Sequence, residues 1–274
     1  MEGNMEDPKY PLRVLSLGAG VQSTTLLRMV IHGELPPVDH AIFSDTGWEP
    51  QGVYEHLEVL KGECADAGIP LHIVSNGNIR DDTLSPDNNR STMPLWLLKD
   101  NGEGAMSRRK CTQEYKLKPL LSKQRELAGL KPGQRCKEHR ITTVIGISWD
   151  EMQRMKDPLF PWIRNEYPLV DNYIKRADCI QWNTDHGYPA PPRSSCIGCP
   201  FHDNAEWRRV AADPISWREA VAFDEAIRAP QKGRTSVAFI HRDRVPLAEA
   251  DIRSEEERGQ GSLFDMECEG MCGI

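Results

Sequence analysis

Short apolar runs and longer stretches of helical spacing alternate over the first half of the chain. Val14-Leu15-Ser16-Leu17 reads as a buried strand. Leu26, Leu27, Val30 and Ile31 then fall on one face of a helix. His40-Ala41-Ile42-Phe43 is a second strand ending at Asp45, and Val53, Leu57, Leu60 and Cys64 mark a helix that Gly68-Ile69-Pro70 stops. Leu71–Val74 is a third strand and Ile141–Ile145 a fourth. This alternation predicts an α/β fold built on a parallel sheet.

The stretch from Ser75 to Met106 is polar, and only Leu95-Trp96-Leu97-Leu98 in it has a packed character, so it reads as a mobile segment or a lid over an active site. Further helices are predicted near 114–127, 173–182, 205–212 and 216–227, and a late strand at 236–240. Beyond Asp243 the chain is charged and Gly-rich. The expected organisation is an extension over 1–12, a main domain over 13–243 and a flexible Cys-containing tail over 244–274.

Composition narrows the class. With 274 residues, 39% hydrophobic and 27% charged, the chain has the make-up of an ordinary globular protein with a substantial core. No run is apolar enough to span a membrane, and the acidic, polar Met1–Tyr10 is unlike a secretory signal, so a cytoplasmic location is expected. Eight scattered cysteines do not form a secreted disulfide framework, and in a reducing compartment clustered ones point to metal or reactivity. Net charge is −7, yet Arg108–Arg140 holds eleven Lys or Arg against three Glu, a basic island suited to a polyanion such as tRNA or DNA. The same lysines also suit a solvated helix face.

The stretch with the most chemistry follows the first strand: Gly18-Ala19-Gly20-Val21-Gln22-Ser23-Thr24-Thr25. A small-residue turn lets the backbone approach a ligand, and the amide groups of the helix start then favour an anion, most simply a phosphate. A plain turn feeding a helix capped by Ser23 fits the same residues. The spacing is neither that of a Walker loop nor that of a dinucleotide fingerprint. It resembles the pyrophosphate loop of the ATP-pyrophosphatase superfamily, Ser-Gly-Gly-x-Asp-Ser, with Gly18, Ala19 and Gln22 at the positions of the first serine, first glycine and aspartate. Gln22 offers hydrogen bonds but no charge to a magnesium ion, which leaves metal use at this loop open.

Three later motifs keep the order of the phosphoadenosine-phosphosulfate reductase family. Asp45-Thr46-Gly47 resembles its Asp-Thr-Gly element, Gly146-Ile147-Ser148-Trp149-Asp150-Glu151-Met152-Gln153-Arg154 its Gly-Ile-Arg element, and Tyr167-Pro168-Leu169-Val170-Asp171 its Pro-Leu segment. The resemblance implies an adenine nucleotide alpha-hydrolase-like fold, a parallel twisted sheet with helices on both faces. It implies nucleotide binding by Ser16, Gly18, Gly20, Gln22, Ser23, Asp45, Thr46 and Gly47, with Arg154 pairing the anion. Asp45 also suits a simple turn at a strand tip.

Cys196-x-x-Cys199 can grip one metal centre, and Cys111, in the basic run Arg108-Arg109-Lys110, is a plausible third ligand whose thiolate the charge favours. Within the superfamily, adenosine-phosphosulfate reductases use a Cys-Cys pair plus Cys-x-x-Cys, and here Lys110 stands at the first place of the pair. Several tRNA-thiolating relatives hold a 4Fe-4S cluster on three cysteines. Zinc is the rival, with His202 or Cys136 completing the set. Cys64 and Cys179 fall within helices as small hydrophobes. The reductases also end in a mobile Glu-Cys-Gly segment, which Cys268 or Cys272 would supply, although Glu267 and Glu269 raise a nearby thiol's pKa. A disordered end with two free thiols fits equally.

Three functions follow as expectations. The first is ATP-activated sulfur transfer to a nucleic acid or nucleotide, with a cysteine-held iron–sulfur cluster and a thiol or sulfur donor protein as partner. The second is sulfonucleotide reduction by a tail cysteine. The third is a non-enzymatic nucleotide-binding or zinc-stabilised module.

Overall fold

In the computed structural model, residues 11–85, 93–229, 236–254 and 257–258 are described. In chain order the elements are β1 (Leu12–Leu17), α1 (Val21–Ile31), β2 (His40–Asp45), α2 (Gln51–Asp66), β3 (Leu71–Ser75), α3 (Ile79–Leu84), β4 (Trp96–Leu98), β5 (Gly104–Met106), α4 (Lys118–Leu127), β6 (Ile141–Ile145), β7 (Ile163–Glu166), α5 (Pro168–Asp171), α6 (Arg176–Asp185), α7 (Asn204–Ala212), α8 (Pro214–Arg228) and β8 (Val237–Phe239). They divide into two compact units. Among the described residues, one is built from those up to Ser44, Gly52–Val74 and Leu117–Ser194, the other from Asp45–Gln51, those between Ser75 and Lys116, and those from Ser195 on.

The first unit is an α/β layer structure around a five-stranded sheet of order β3-β2-β1-β6-β7. The pairs β1–β2, β1–β6 and β6–β7 are parallel, with Leu15 opposite both Ala41 and Val144. Side chains alternate across the sheet with a period of two. Leu15 and Leu17 of β1, with Ala41 and Phe43 of β2, join one core formed against α1, α2 and α6; Leu12, Val14 and Ile42 join another, against Leu120 of α4 and Ala128. Both faces of β1 are therefore dry, which is why its sequence is almost continuously apolar.

A buried ionic network ties three helices on one face. Arg28 of α1 is fully buried and donates to both carboxylate oxygens of Glu63 on α2, at 2.8 and 3.1 Å, and to Asn183 Oδ1 on α6 at 2.6 Å. Asn183 in turn donates to Thr25 Oγ1 at 2.7 Å. Cys64 and Cys179 lie in the same core, and burial pushes their thiols up to about 11 and about 12, as small apolar residues rather than nucleophiles.

The second unit packs α7 and α8 against a small antiparallel sheet of order β5-β4-β8. Its core is Trp48, Ile79, Met93, Leu95, Trp207, Phe223 and their neighbours. Buried Asp224 organises one edge, accepting from the backbone N–H of Ile240 at 3.0 Å and of Leu247 at 2.9 Å.

The polar stretch that reads as a loop carries α3, β4 and β5. Asn78 caps α3, accepting from the backbone N–H groups of Arg80 and Asp81, while β4 and β5 are three residues each, too short for a period to register. The strand β7 also escapes the pattern: it is an edge strand, and only Ile163 of its four residues is buried. The helix expected from 173 begins at Arg176 because Tyr173 takes a left-handed conformation, φ 57°.

Two outcomes follow. Replacing Arg28 with Ala removes the buried partner of half-buried Glu63 and of buried Asn183 and should cost about 2–4 kcal/mol in urea unfolding; a loss under about 1 kcal/mol would show the network to be ornamental. His40, His56, His72, His139 and His241 all titrate below the usual 6.5, in each case chiefly because burial disfavours the cation. His56, held by Thr24 Oγ1 at 3.1 Å, is further depressed by Arg28. The native state then binds fewer protons than the unfolded chain, so stability is complete above pH 6.5 and is lost as pH falls below it. The urea midpoint should drop between pH 7.5 and pH 5.5, and His56→Gln should flatten that dependence; a midpoint constant with pH contradicts it.

Candidate functional site

In the first unit the order of strands reverses beside β1: the chain runs outward through β2 and β3, then returns to place β6 on the other side. Ligands of open parallel sheets sit outside the strand ends at such a switch point. The two segments that meet there are the turn after β1 and the residues after β6. A Cβ on Gly146 would lie 2.9 Å from Ser23 N and 3.0 Å from Ser23 Cα, so only glycine lets β6 end directly against the first turn of α1.

The turn itself differs from a capped helix start. Gly20 is the N-cap residue, extended and without a side-chain cap, and Ala19 between the glycines takes the left-handed conformation, φ 54°. Ser23 does not cap α1. Its hydroxyl accepts from Gly18 N–H at 3.0 Å and donates to Gly20 O at 3.4 Å, closing the turn from within. The first intrahelical bond is Thr24 N–H to Gly20 O, and the amides ahead of it form the positive end of the α1 dipole. Gln22 is half-buried, as is Ser16 near the end of β1. Ser148, two residues past Gly146, is fully buried, and its hydroxyl has no hydrogen-bond partner among the described residues.

The second unit gathers the Asp-Thr-Gly turn and the cysteine turn. Asp45 Oδ1 accepts from Gly47 N–H at 2.7 Å, and Gly47 is left-handed at φ 75° with Asn78 pressed against it. Asp45 thus shapes the turn, as its strand-tip position allows. Thr46 is buried; it donates to Glu49 Oε1 at 3.0 Å and its hydroxyl lies 3.3 Å from Cys196 Sγ. Cys196 Sγ is itself 3.8 Å from Glu49 Oε1. The backbone locks the two turns together, with Ile197 N–H donating to Trp48 O at 3.0 Å.

Cys196 and Cys199 are both buried, in a turn closed by Cys199 N–H to Cys196 O at 3.1 Å. His202 belongs to the same turn, with its Nε2 3.2 Å from Ser195 Oγ. Cys111 is half-buried and packs on the core cluster that contains Cys196 and Cys199. It immediately precedes a π-helical turn, Thr112–Leu117, where sequence periodicity predicts ordinary helix only from 114. The guanidinium of Arg109 sits over the Phe201 ring, 5.2 Å from its centre, and pins the Cys111 segment to the turn after Cys199.

Other predicted residues lie elsewhere. Cys136 packs on the first unit's Leu120–Ile141 core, its thiol donating to Glu138 O at 3.4 Å. Arg154 is ion-paired with buried Glu151, three residues before it. The basic run is split: residues 108–116 belong to one unit and 117–140 to the other, and Lys123 and Arg140 are paired with Glu126 and Glu138. Cys268 and Cys272 lie outside the described residues. Sequence reasoning assigned nothing to Glu49 or Trp48, although Glu49 follows Asp-Thr-Gly by two residues.

Gly198 carries a direct test of this packing. A Cβ there would collide with the Trp48 ring. Gly198→Ala should destabilise the protein by about 1–3 kcal/mol, and pairing it with Trp48→Leu should cost less than the sum of the two. Strict additivity in thermal unfolding would remove Trp48 as the constraint on the cysteine turn.

No protein-family model matches this sequence, and no curated protein matches it. Among solved structures the chain is similar to the U34-tRNA thiolase NcsA from Methanococcus maripaludis with its 4Fe-4S cluster, at 12% identity over 80% of this chain and 73% of that one, with a TM-score of 0.39.

Proposed function

We propose that the protein is an ATP-dependent sulfur-transfer enzyme that acts on a nucleic acid or nucleotide and holds an iron–sulfur cluster on Cys111, Cys196 and Cys199. One observation carries this: the Asp45-Thr46-Gly47 turn touches the cysteine turn, with the Thr46 hydroxyl 3.3 Å from Cys196 Sγ. The turn that resembles a nucleotide-binding element and a pair of buried thiols thus share one set of contacts.

In this scheme the phosphates of ATP lie at the start of α1, where Gly18 and Gly20 leave the backbone bare, Ser16 and Gln22 add polar groups, Ser23 holds the turn in shape and the helix dipole attracts negative charge. The resemblance assigns Asp45, Thr46 and Gly47 to nucleotide binding as well. Arg154 reaches an anion by exchanging its contact with Glu151. ATP would adenylate an oxygen of the acceptor and release pyrophosphate; sulfide-level sulfur from a donor then forms the C–S bond as the C–O bond breaks and AMP leaves with that oxygen.

The chemistry of the donors supports the cluster: buried Cys196 and Cys199 and the half-buried Cys111 on the same core are soft ligands, and thiolate sulfur suits iron–sulfur centres. Such a cluster supplies, when bound, an iron with a free position for sulfur. Zinc would draw its remaining ligand from His202, which shares the turn. The reductive alternative depends on Cys268 and Cys272, so it stands on sequence alone.

Protein purified without oxygen should be brown and contain iron with acid-labile sulfide. Cys111→Ala, Cys196→Ala and Cys199→Ala should each lose that iron, and the intact protein should release pyrophosphate from ATP when given tRNA or DNA. A colourless protein holding one zinc and releasing no pyrophosphate overturns the proposal; iron unchanged in Cys111→Ala overturns the ligand set.

A further inference from the structure

A second cluster of metal-ligand type lies in the first unit, at the opposite end of α1 from the glycine turn. His32 is the residue that ends α1, Glu34 follows in the loop toward β2, and His186 ends α6. One ring nitrogen of each histidine and one carboxylate oxygen of Glu34 all fall within 4.8 Å of one another. The eleven residues of α1 separate this cluster from the glycine turn by about 16 Å.

The surroundings orient these groups as outer partners orient metal ligands. His186 Nδ1 lies 2.8 Å from Trp182 O. A carbonyl only accepts, so Nδ1 carries the proton of the neutral ring and Nε2 keeps its lone pair. That Nε2 is 3.6 Å from Glu34 Oε1. The other oxygen, Glu34 Oε2, accepts from Trp182 Nε1–H at 3.0 Å, across 148 residues of sequence. The ring of His186 stacks on Trp182 with centroids 3.9 Å apart, and His32 is held by the Tyr188 hydroxyl, 2.9 Å from its Nε2. Tyr188 is fixed in turn by the buried Arg28, 3.9 Å from its ring centre.

We propose that His32, Glu34 and His186 form a binding site for a divalent transition metal of borderline softness, zinc or a close analogue. Imidazole and carboxylate suit such ions and not the hard magnesium or calcium, which take oxygen. Bonds of about 2.0–2.1 Å in a tetrahedral site put ligand atoms about 3.3 Å apart, and the His186–Glu34 pair already stands near that separation. All three residues are exposed, so ions reach the site from solvent and water completes the coordination. The metal clips the end of α1 to the end of α6, the two helices joined from beneath by the Arg28–Asn183 bond. Nothing in this depends on the cysteine turn.

The test uses the full chain with Co²⁺ as the probe, since thiolate-bound cobalt shows strong near-ultraviolet charge transfer and cobalt bound by nitrogen and oxygen does not. The wild-type protein should bind one equivalent lacking that band. His32→Ala and His186→Ala should each weaken it by about 100-fold or more, and Cys111→Ala should leave it intact. Trp182→Phe keeps the stacking but removes the hydrogen bond to Glu34, and should weaken binding by about tenfold. Crystals soaked in Zn²⁺ should show an anomalous peak among the three residues. Absence of that peak, or affinity unchanged in His186→Ala, overturns the site.

Discussion

The constraint from which the first unit follows is the burial of β1 on both faces and both edges. Leu12 and Val14 face one core and Leu15 and Leu17 the other, while β2 and β6 take up its backbone groups on either side. A strand so enclosed exposes only its tips. At the C-terminal tip the chain reverses the order in which strands are added, and two loops must diverge. The Gly18–Gly20 turn and Gly146 are what that divergence demands: a left-handed residue to turn the chain, and a missing side chain where β6 meets α1.

The chemistry of the second unit rests on a comparable economy of contacts. The Asp-Thr-Gly turn is shaped by its own aspartate, clamped by Asn78 and joined by backbone and side chain to the cysteine turn. Trp48 fills the space that Gly198 leaves. Cys196 and Cys199 are therefore held by packing as much as by local turn geometry, and the Arg109–Phe201 contact brings the Cys111 segment to the same core.

How much of this was legible in the sequence varies with the range of the forces involved. The runs Val14–Leu17 and Ile141–Ile145 read as strands because burial leaves them short, mostly apolar and rich in β-branched residues, with only Ser16, Thr142 and Thr143 polar. Val53, Leu57, Leu60 and Cys64 read as a helix because one face of α2 meets one core. The edge strand β7, with Arg164, Asn165 and Glu166 half-buried or exposed, offered no such pattern. The helix α3 did leave a signal, Asn78 followed by Asp81 and Asp82, which a capping analysis could have used. Motif reasoning found Gly146 and Thr46 but not their reasons, which are a backbone approach and a hydroxyl bridging to sulfur.

The sequence by itself determined the alternation of strand and helix, the glycine turn after the first strand and the Cys-x-x-Cys turn. Each is encoded within a few neighbouring residues, where side-chain period and backbone freedom act directly. Only the tertiary structure decided that Thr46 meets Cys196, that Arg28 finds Glu63 and Asn183, and that His32, Glu34 and His186 converge. Those meetings join residues far apart in the chain, and they are fixed by how whole elements pack, a property that no local pattern contains.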